Sequence, residues 1–175
     1  MEVNYQNLAI RNAEESDASL LCNWWNDGNV MAHAGFPNGL GITAEQVERQ
    51  IAASSDDRHR VLIMEIDKTP IGEMSFQNTG GLAAEIGIKI CKTDMQEKGL
   101  GSLFLNMLMT KLFQVGYEKI ILDTNLENTR AQHVYEKLGF TKLRVNENAW
   151  RDQLGNPQSS VDYEMNKLDF TPLPL

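Results

Sequence analysis

The chain has 175 residues, of which 42% are hydrophobic and 23% charged, a composition typical of globular proteins that excludes disordered or fibrous chains. Its formal net charge of −8 is the wrong sign for a protein that follows a nucleic-acid backbone. No apolar run reaches the roughly 18 residues of a membrane span, the two cysteines cannot build a disulfide framework or a zinc site, and no secretory signal begins the chain. We therefore expect a cytoplasmic protein without a metal, a nucleic-acid partner or a membrane partner.

The first half of the chain predicts short strands, two helices and one long loop. Alternation predicts a strand at residues 8–11, and helical spacing predicts a helix that ends near Trp25. Glycine and proline predict a loop at residues 34–41, and Thr43 with Gln46 has the pattern of a capping box for a second helix. Three β-rich segments then predict consecutive strands, at residues 60–66, 70–76 and 82–91.

The second half changes from strand to helix periodicity after the last of these strands. Residues 100–115 are almost entirely apolar except for a polar stripe at every fourth position, which predicts a mostly buried helix. The further elements are expected in this order: a strand at 119–125, a helix from Asn128, and strands at 141–148 and 161–168 that flank a polar loop at 152–160. We therefore predict one mixed α/β domain over residues 1–168, followed by an extended tail at 169–175.

The segment at residues 96–101, Gln-Glu-Lys-Gly-Leu-Gly, lies between a predicted strand and the apolar helix. The start of a helix has unpaired backbone N–H groups and partial positive charge, and Gly99 and Gly101 would let a phosphate approach that backbone closely. The alternative is that both glycines only allow tight packing between strand and helix. A P-loop is excluded because its lysine pattern is missing, and a dinucleotide-binding motif because Phe104 stands where the third glycine belongs.

A second pair of polar residues lies on the last predicted helix. Asn128 and Tyr135 are seven residues apart, nearly two helical turns, so both address the same side of the helix. An amide and a phenol placed in this way could flank one ligand. The alternative for Tyr135 is a core residue whose hydroxyl reaches the surface.

Together these residues resemble the GNAT superfamily of N-acetyltransferases. The family signature Arg/Gln-x-x-Gly-x-Gly/Ala is matched by Gln96, Gly99 and Gly101, and the family's later Asn and Tyr are matched by Asn128 and by Tyr135 in a YEKLGF run. The resemblance covers nearly the whole order of strands and helices, and it implies a mixed, mostly antiparallel sheet of about seven strands flanked by about four helices. The sub-branch looks like the one that contains ribosomal-protein N-terminal, spermidine and some aminoglycoside acetyltransferases.

The resemblance implies acetyl-CoA as the acetyl donor. Its pyrophosphate would rest on the backbone N–H groups of the loop, and its pantetheine arm would run beside the preceding strand. The residues implied in donor binding are Gln96, Glu97, Lys98, Gly99, Leu100, Gly101 and Ser102 in the loop, Ile88, Ile90 and Cys91 in the strand, and Asn128. Tyr135 would donate a proton to the departing thiolate as general acid. Glu97 is a departure, since a carboxylate in a phosphate loop must point to solvent.

The amine must lose its proton before it attacks the thioester, so a general base, or a water chain that leads to one, is expected. Glu85 is the candidate because it shares a strand face with Gly87, whose missing side chain leaves room for a substrate. The alternative is that Glu85 only orders water or binds the acceptor cation. Glu73 on the preceding strand is the reserve base.

The expected reaction is direct transfer of the acetyl group to a primary amine of a protein N-terminus, a polyamine, an aminoglycoside or another small amine. The resemblance further implies that His33 and the loop at residues 34–41 shape the acceptor site. Trp24 and Trp25 are expected to pack their helix, and the alternative is that they stack on a substrate. This branch is often dimeric, so a homodimer is also expected. The competing interpretation is a catalytically inactive acyl-CoA-binding sensor of the same fold. The presence of both the Asn128 amide and the Tyr135 phenol argues against it.

Overall fold

The computed structural model describes residues 1–173, and the last two residues of the predicted tail, 174 and 175, lie outside this range. Within the described range the chain forms eight strands and five α-helices. The strands are β1 (Glu2–Tyr5), β2 (Leu8–Asn12), β3 (His59–Ile66), β4 (Thr69–Gly80), β5 (Ala83–Ile90), β6 (Lys119–Asn125), β7 (Thr141–Arg151) and β8 (Pro157–Asn166). The helices are α1 (Ala18–Trp25), α2 (Gly28–Met31), α3 (Ala44–Ala52), α4 (Leu100–Gln114) and α5 (Thr129–Lys137). None of these five helices has both the length and the apolar character that crossing a membrane requires.

The eight strands form one sheet in the order β1-β2-β3-β4-β5-β6-β8-β7. Neighbouring strands from β1 to β5 are antiparallel, and β5 and β6 are parallel. The predicted α/β fold with a mixed, mostly antiparallel sheet is thereby confirmed. The sequence analysis missed β1 and α2, because each has only four residues, too few for a periodic pattern to appear.

The largest difference in element boundaries concerns the polar loop predicted at residues 152–160. The loop is shorter than predicted, because β7 ends at Arg151 and β8 already begins at Pro157. Asp152 closes the turn because its side chain accepts hydrogen bonds from the N–H groups of Leu154 and Asn156, both at 2.9 Å. Polar residues continue the strand here, since backbone pairing does not require apolar side chains.

By its internal packing the chain divides into two compact units. The first contains residues 1–13, residues 54–121 and the chain from Glu164 onward. Its core is α4, which packs on β1, β2 and β5. The α4 side chains with no exposed surface are Phe104, Met107, Leu108, Met109 and Leu112.

One position of the polar stripe on α4 binds the C-terminal tail. The Asn106 side chain donates from Nδ2 to the carbonyl of Thr171 (3.0 Å) and accepts at Oδ1 from the N–H of Leu173 (2.8 Å). The ring of Phe170 lies 5.1 Å from that of Phe113, measured between centroids. The tail is therefore attached along α4 through residue 173.

A cavity in this core is expected to be costly. We predict that Leu108→Ala lowers the free energy of unfolding by about 2–5 kcal/mol, because the side chain is fully buried and the surrounding helix cannot collapse into the space left. Urea denaturation measures the change. The control is Leu168→Ala, at a side chain that is 96% exposed, which should stay within about 0.5 kcal/mol of the parent. Equal losses in both variants would contradict the packing described for α4.

The second unit contains Glu14–Ala53 and Leu122–Tyr163. In it α1 packs on α2 and α3, and both tryptophans of α1 are buried, so they pack the helix as expected. The predicted capping box begins α3, since the Thr43 hydroxyl accepts from the N–H of Gln46 and the Gln46 side chain accepts from the N–H of Thr43. This unit also holds α5 and the β7–β8 hairpin.

Candidate active site

The first unit has an open backbone edge at the end of β5. Pairing with β6 covers only Ala83, Ala84 and Glu85. The N–H of Cys91, directly after β5, donates to the carbonyl oxygen of Ile71, a buried residue of β4, at 2.9 Å. Backbone N–H and C=O groups alternate in direction along a strand. Those of the odd-numbered residues of β5 therefore point toward β4, and those of the even-numbered residues point toward the other edge.

Two of the three strand residues predicted to bind the donor lie on this edge. The N–H and carbonyl of Ile88 and the N–H of Ile90 face it, beyond the last pair with β6 in the described chain. Cys91 instead uses its N–H for Ile71 and is only 7% exposed. The backbone groups at this open edge are therefore those of Ile88 and Ile90.

Gln96 attaches the predicted phosphate loop to β5. Its Nε2 donates to the carbonyl of Ile90 at 2.9 Å, which fixes the start of the loop against the end of the strand. Glu97 and Gly99 then adopt positive φ angles of 61° and 76°. Glu97 and Lys98 are both exposed residues.

The helix start that follows this loop has no side-chain cap. Gly99 is the N-cap residue of α4, so the first-turn N–H groups of Leu100, Gly101 and Ser102 have no acceptor within the helix. A Cβ added at Gly99 would meet nothing within 4 Å, and one at Gly101 would meet only Ile90 Cδ1, at 3.9 Å. Packing therefore does not explain the two glycines. Open space before an uncapped helix start fits an anion, which the helix dipole stabilises.

The two candidate bases lie on one face of β4 and β5. Glu73 is opposite Lys89 in the strand register; it is 6% exposed and its Oε1 accepts a hydrogen bond from Lys89 Nζ at 3.0 Å. Glu85 lies further along the same face of β5 and is exposed. Gly87 lies between them on β5, where a Cβ would come within 3.0 Å of Ser75 Oγ. Glu73 is thus held in a partly buried ion pair with Lys89, and Glu85 is an exposed residue.

In the second unit, Asn128 is the N-cap residue of α5. Its Oδ1 accepts a hydrogen bond from the N–H of Ala131 at 3.2 Å. This bond fixes the side chain and leaves the Nδ2 group without a partner among the described residues. The amide of Asn128 can therefore cap its own helix and donate to a ligand at the same time.

Tyr135 lies two turns further along α5, in an aromatic cluster. The side chain is 7% exposed, and its ring centroid lies 5.9 Å from that of Phe140 and 5.6 Å from that of Tyr163. The hydroxyl makes no hydrogen bond to any described residue. Within residues 1–173 no fully inaccessible side-chain oxygen lacks a partner, so this oxygen retains contact with solvent. Burial, with Asp123 and Tyr163 adding to it, raises the pKa of Tyr135 to about 12. The phenol is a protonated, unpartnered donor at neutral pH.

Tyr163 on β8 supports this cluster, and the sequence analysis did not single it out. It is fully buried, and its hydroxyl donates to Glu136 Oε1 at 2.9 Å. Burial and the bond to Glu136 raise the pKa of Tyr163 to about 12. The only sequence signal was the alternation of Val161, Tyr163 and Met165 along one strand face. The described residues contain no group of three His, Cys, Asp or Glu side chains that could hold a metal ion.

The fold is similar to that of several solved acetyltransferase structures. Spermidine N-acetyltransferase from Vibrio cholerae, in complex with CoA and spermine, matches with a TM-score of 0.84 at 22% identity over 93% of this chain and 97% of that chain. The ribosomal L7/L12 α-N-protein acetyltransferase RimL, in complex with coenzyme A, matches with a TM-score of 0.80 at 17% identity over 95% and 98%. A GNAT acetyltransferase from Bacillus anthracis gives 0.78 at 20% identity over 95% and 98%. A search of the curated proteins finds no match.

The match to a protein family defines the chain as an acetyltransferase. Residues 7–141 match the Acetyltransferase (GNAT) domain, which is well over half of the 175 residues. The chain therefore belongs to the GNAT acetyltransferase family. Acetyl-CoA is the acetyl donor of this family, as the resemblance implied.

Proposed function

We propose that this N-acetyltransferase acetylates the primary amine of a small cationic acceptor by direct transfer, with a polyamine as the first candidate. A protein N-terminus, an aminoglycoside and another small amine are the remaining classes. Support comes from the net charge of −8, which attracts cations, and from the spermine in the Vibrio cholerae relative. The main observation in support of acetyl transfer is the uncapped start of α4, which follows the open edge of β5.

Donor binding is assigned to backbone groups of the first unit. The N–H groups of Leu100, Gly101 and Ser102 hold the pyrophosphate, and the backbone of Ile88 and Ile90 pairs with the pantetheine arm. When bound, acetyl-CoA supplies a thioester whose carbonyl carbon bonds to the amine nitrogen while the carbon–sulfur bond breaks. Backbone N–H groups that face the carbonyl would stabilise the negative charge that develops on its oxygen.

The proton balance of the transfer is assigned to two side chains. Glu85 takes the first proton that the ammonium group loses, directly or through water, and Tyr135 supplies the proton that the sulfur gains. The second proton that the nitrogen loses, when the amide forms, returns to the Tyr135 oxygen and restores the phenol. Asn128 donates from Nδ2 to the pantetheine arm. Tyr135 suits its role because burial keeps the phenol protonated and its hydroxyl has no competing partner in the described chain.

Glu85→Gln should lower kcat/KM by about a hundredfold or more and remove the acidic limb of the pH–rate profile, because the amide cannot accept the proton. The profile is measured by thiol release from pH 5 to 9, with the exposed Glu48→Gln as control. A raised amine KM with an unchanged profile would assign Glu85 to cation binding. An unaltered enzyme would remove it from the site.

The proposed function is tested by calorimetry with acetyl-CoA, with NAD and ATP as controls, and by thiol release against a panel of amines. Binding of acetyl-CoA together with release for one amine class identifies the acceptor. Binding without release for any amine supports the inactive acyl-CoA sensor. Absence of acetyl-CoA binding would contradict the assignment of the loop at residues 96–101.

We further propose a homodimer and a cytoplasmic location. The dimer is supported by β7, an edge strand that is exposed along most of its length, with Leu143 and Val145 51% and 42% exposed. An edge strand has a row of unpaired backbone N–H and C=O groups with which another chain can pair. Light scattering at several concentrations tests the dimer, and a monomer throughout would overturn it. Cell fractionation tests the location.

A further inference from the structure

The loop at residues 34–41 is held in place at two buried glycines. Gly35 and Gly39 are both buried, whereas Phe36 and Asn38 between them are exposed. A Cβ on Gly39 would lie 2.2 Å from the carbonyl oxygen of Asn26, so this part of the loop lies directly on the end of α1. The loop thus presents its side chains outward from fixed backbone positions.

Gln153, at the tip of the β7–β8 hairpin, makes three hydrogen bonds to this loop. Its Oε1 accepts from the N–H of Asn38 (3.0 Å) and its Nε2 donates to the carbonyl of Gly39 (3.0 Å). Its own N–H donates to the carbonyl of Gly35 (2.8 Å). The side-chain amide therefore bridges two successive backbone groups in the way that a paired strand would.

Trp150 adds an apolar contact to the same loop. A Cβ on Gly35 would lie 2.2 Å from Cζ3 of the Trp150 ring, so the indole lies against the glycine and leaves no room for a side chain. Gly35 also has a φ of 91°, which favours glycine. Ring and amide together hold the loop at both ends of the exposed segment.

The hairpin tip is itself a rigid support. The Asp152 carboxylate accepts hydrogen bonds from Leu154, Asn156 and Gln158. Although partial desolvation opposes the change, these bonds lower the pKa of Asp152 below its ordinary value. The carboxylate stays ionised at neutral pH, and the tip keeps one conformation in which Gln153 faces the loop.

We propose that Gln153 is a positioning residue for amine specificity, which holds the loop at residues 34–41 so that Phe36, 37% exposed, contacts the acceptor. This inference rests on the proposed function and on the expectation from the sequence that this loop shapes the acceptor site. Gln153 does not touch the reacting atoms. It acts through the loop backbone, so its removal should change the recognition of the amine and leave the recognition of acetyl-CoA unchanged.

The test uses Gln153→Met, which keeps the length of the side chain and removes both side-chain hydrogen bonds. The KM of the accepted amine should rise about tenfold, while the KM of acetyl-CoA and the melting temperature stay unchanged. Hydrogen exchange at the Asn38 amide should become faster, because its acceptor is lost. Leu154→Ala, at the neighbouring side chain that is 61% exposed, is the control and should alter none of these values.

A second variant tests the route through the loop. In a Phe36→Ala background, Gln153→Met should raise the amine KM no further, because both changes remove the same contact. Faster hydrogen exchange at Asn38 with an unchanged KM of the amine would overturn the specificity role. Equal increases in the KM of the amine and the KM of acetyl-CoA, together with a lower melting temperature, would also overturn it. Unchanged exchange would overturn the attachment of the loop. A parent enzyme that binds acetyl-CoA but acetylates no amine would overturn the proposed function and, with it, this role.

Discussion

Tyr135→Phe is expected to lower kcat by about 10²–10⁴-fold and to leave the KM of acetyl-CoA nearly unchanged. The substitution removes only the hydroxyl, which makes no hydrogen bond to the described residues, so the ring keeps its contacts with Phe140 and Tyr163. A general acid contributes a rate factor of about this size, and a group that acts only in the transition state changes kcat more than KM.

The pH dependence adds a second readout for Tyr135. Burial raises its pKa to about 12, so the proton donor is protonated at neutral pH and remains so well above it. We therefore expect its ionisation to cause no loss of kcat up to about pH 10. A loss of kcat near pH 8 that disappears in the Tyr135→Phe enzyme would contradict this assignment.

Tyr117→Phe is the matched control for this substitution. Tyr117 is a half-buried tyrosine of the first unit, and its ring packs on Phe76 with 6.5 Å between centroids. Removing its hydroxyl should leave kcat unchanged. Full activity of Tyr135→Phe, or an equal loss in the Tyr117 variant, would remove Tyr135 as the proton donor.

Gly101→Ala is expected to weaken acetyl-CoA binding by at least about tenfold while it maintains or raises the stability of the protein. The added Cβ meets only Ile90 Cδ1 at 3.9 Å, an ordinary contact, and alanine is favoured over glycine in helices by up to about 1 kcal/mol. In the ligand complex the same methyl group would occupy the space before the first-turn N–H groups. One lost charge-assisted hydrogen bond, about 1.5–3 kcal/mol, accounts for the tenfold effect.

Calorimetry with acetyl-CoA and thermal unfolding without it measure these two effects separately. The control on the same helix is Gln114→Ala at its exposed C-terminal end, which should change neither value. Weaker binding without a loss of stability supports the loop as the pyrophosphate site. Unchanged binding would show that acetyl-CoA does not occupy the space beside Gly101. It would contradict the assignment of the loop as the pyrophosphate site.

The local features of the site were predictable from the sequence. The loop at residues 96–101 and the start of α5 were located because glycine, helix capping and periodicity act over a few residues. The same information could not separate Cys91 from Ile88 and Ile90. All three belong to the predicted strand, and only the hydrogen bond from Cys91 to Ile71 decides which backbone groups face the open edge.

The sequence by itself determined the order of the longer elements, the predicted loop for the donor phosphates and the pair of Asn128 and Tyr135. Only the tertiary structure decided the environment of those groups: burial raises the pKa of Tyr135 to about 12, and Lys89 pairs with Glu73. It also brought Gln153 to Asn38, which lies 115 residues away in the chain. The physical reason is that periodicity and capping depend on neighbours within one or two helical turns, whereas burial and ion pairing depend on residues that only folding brings together.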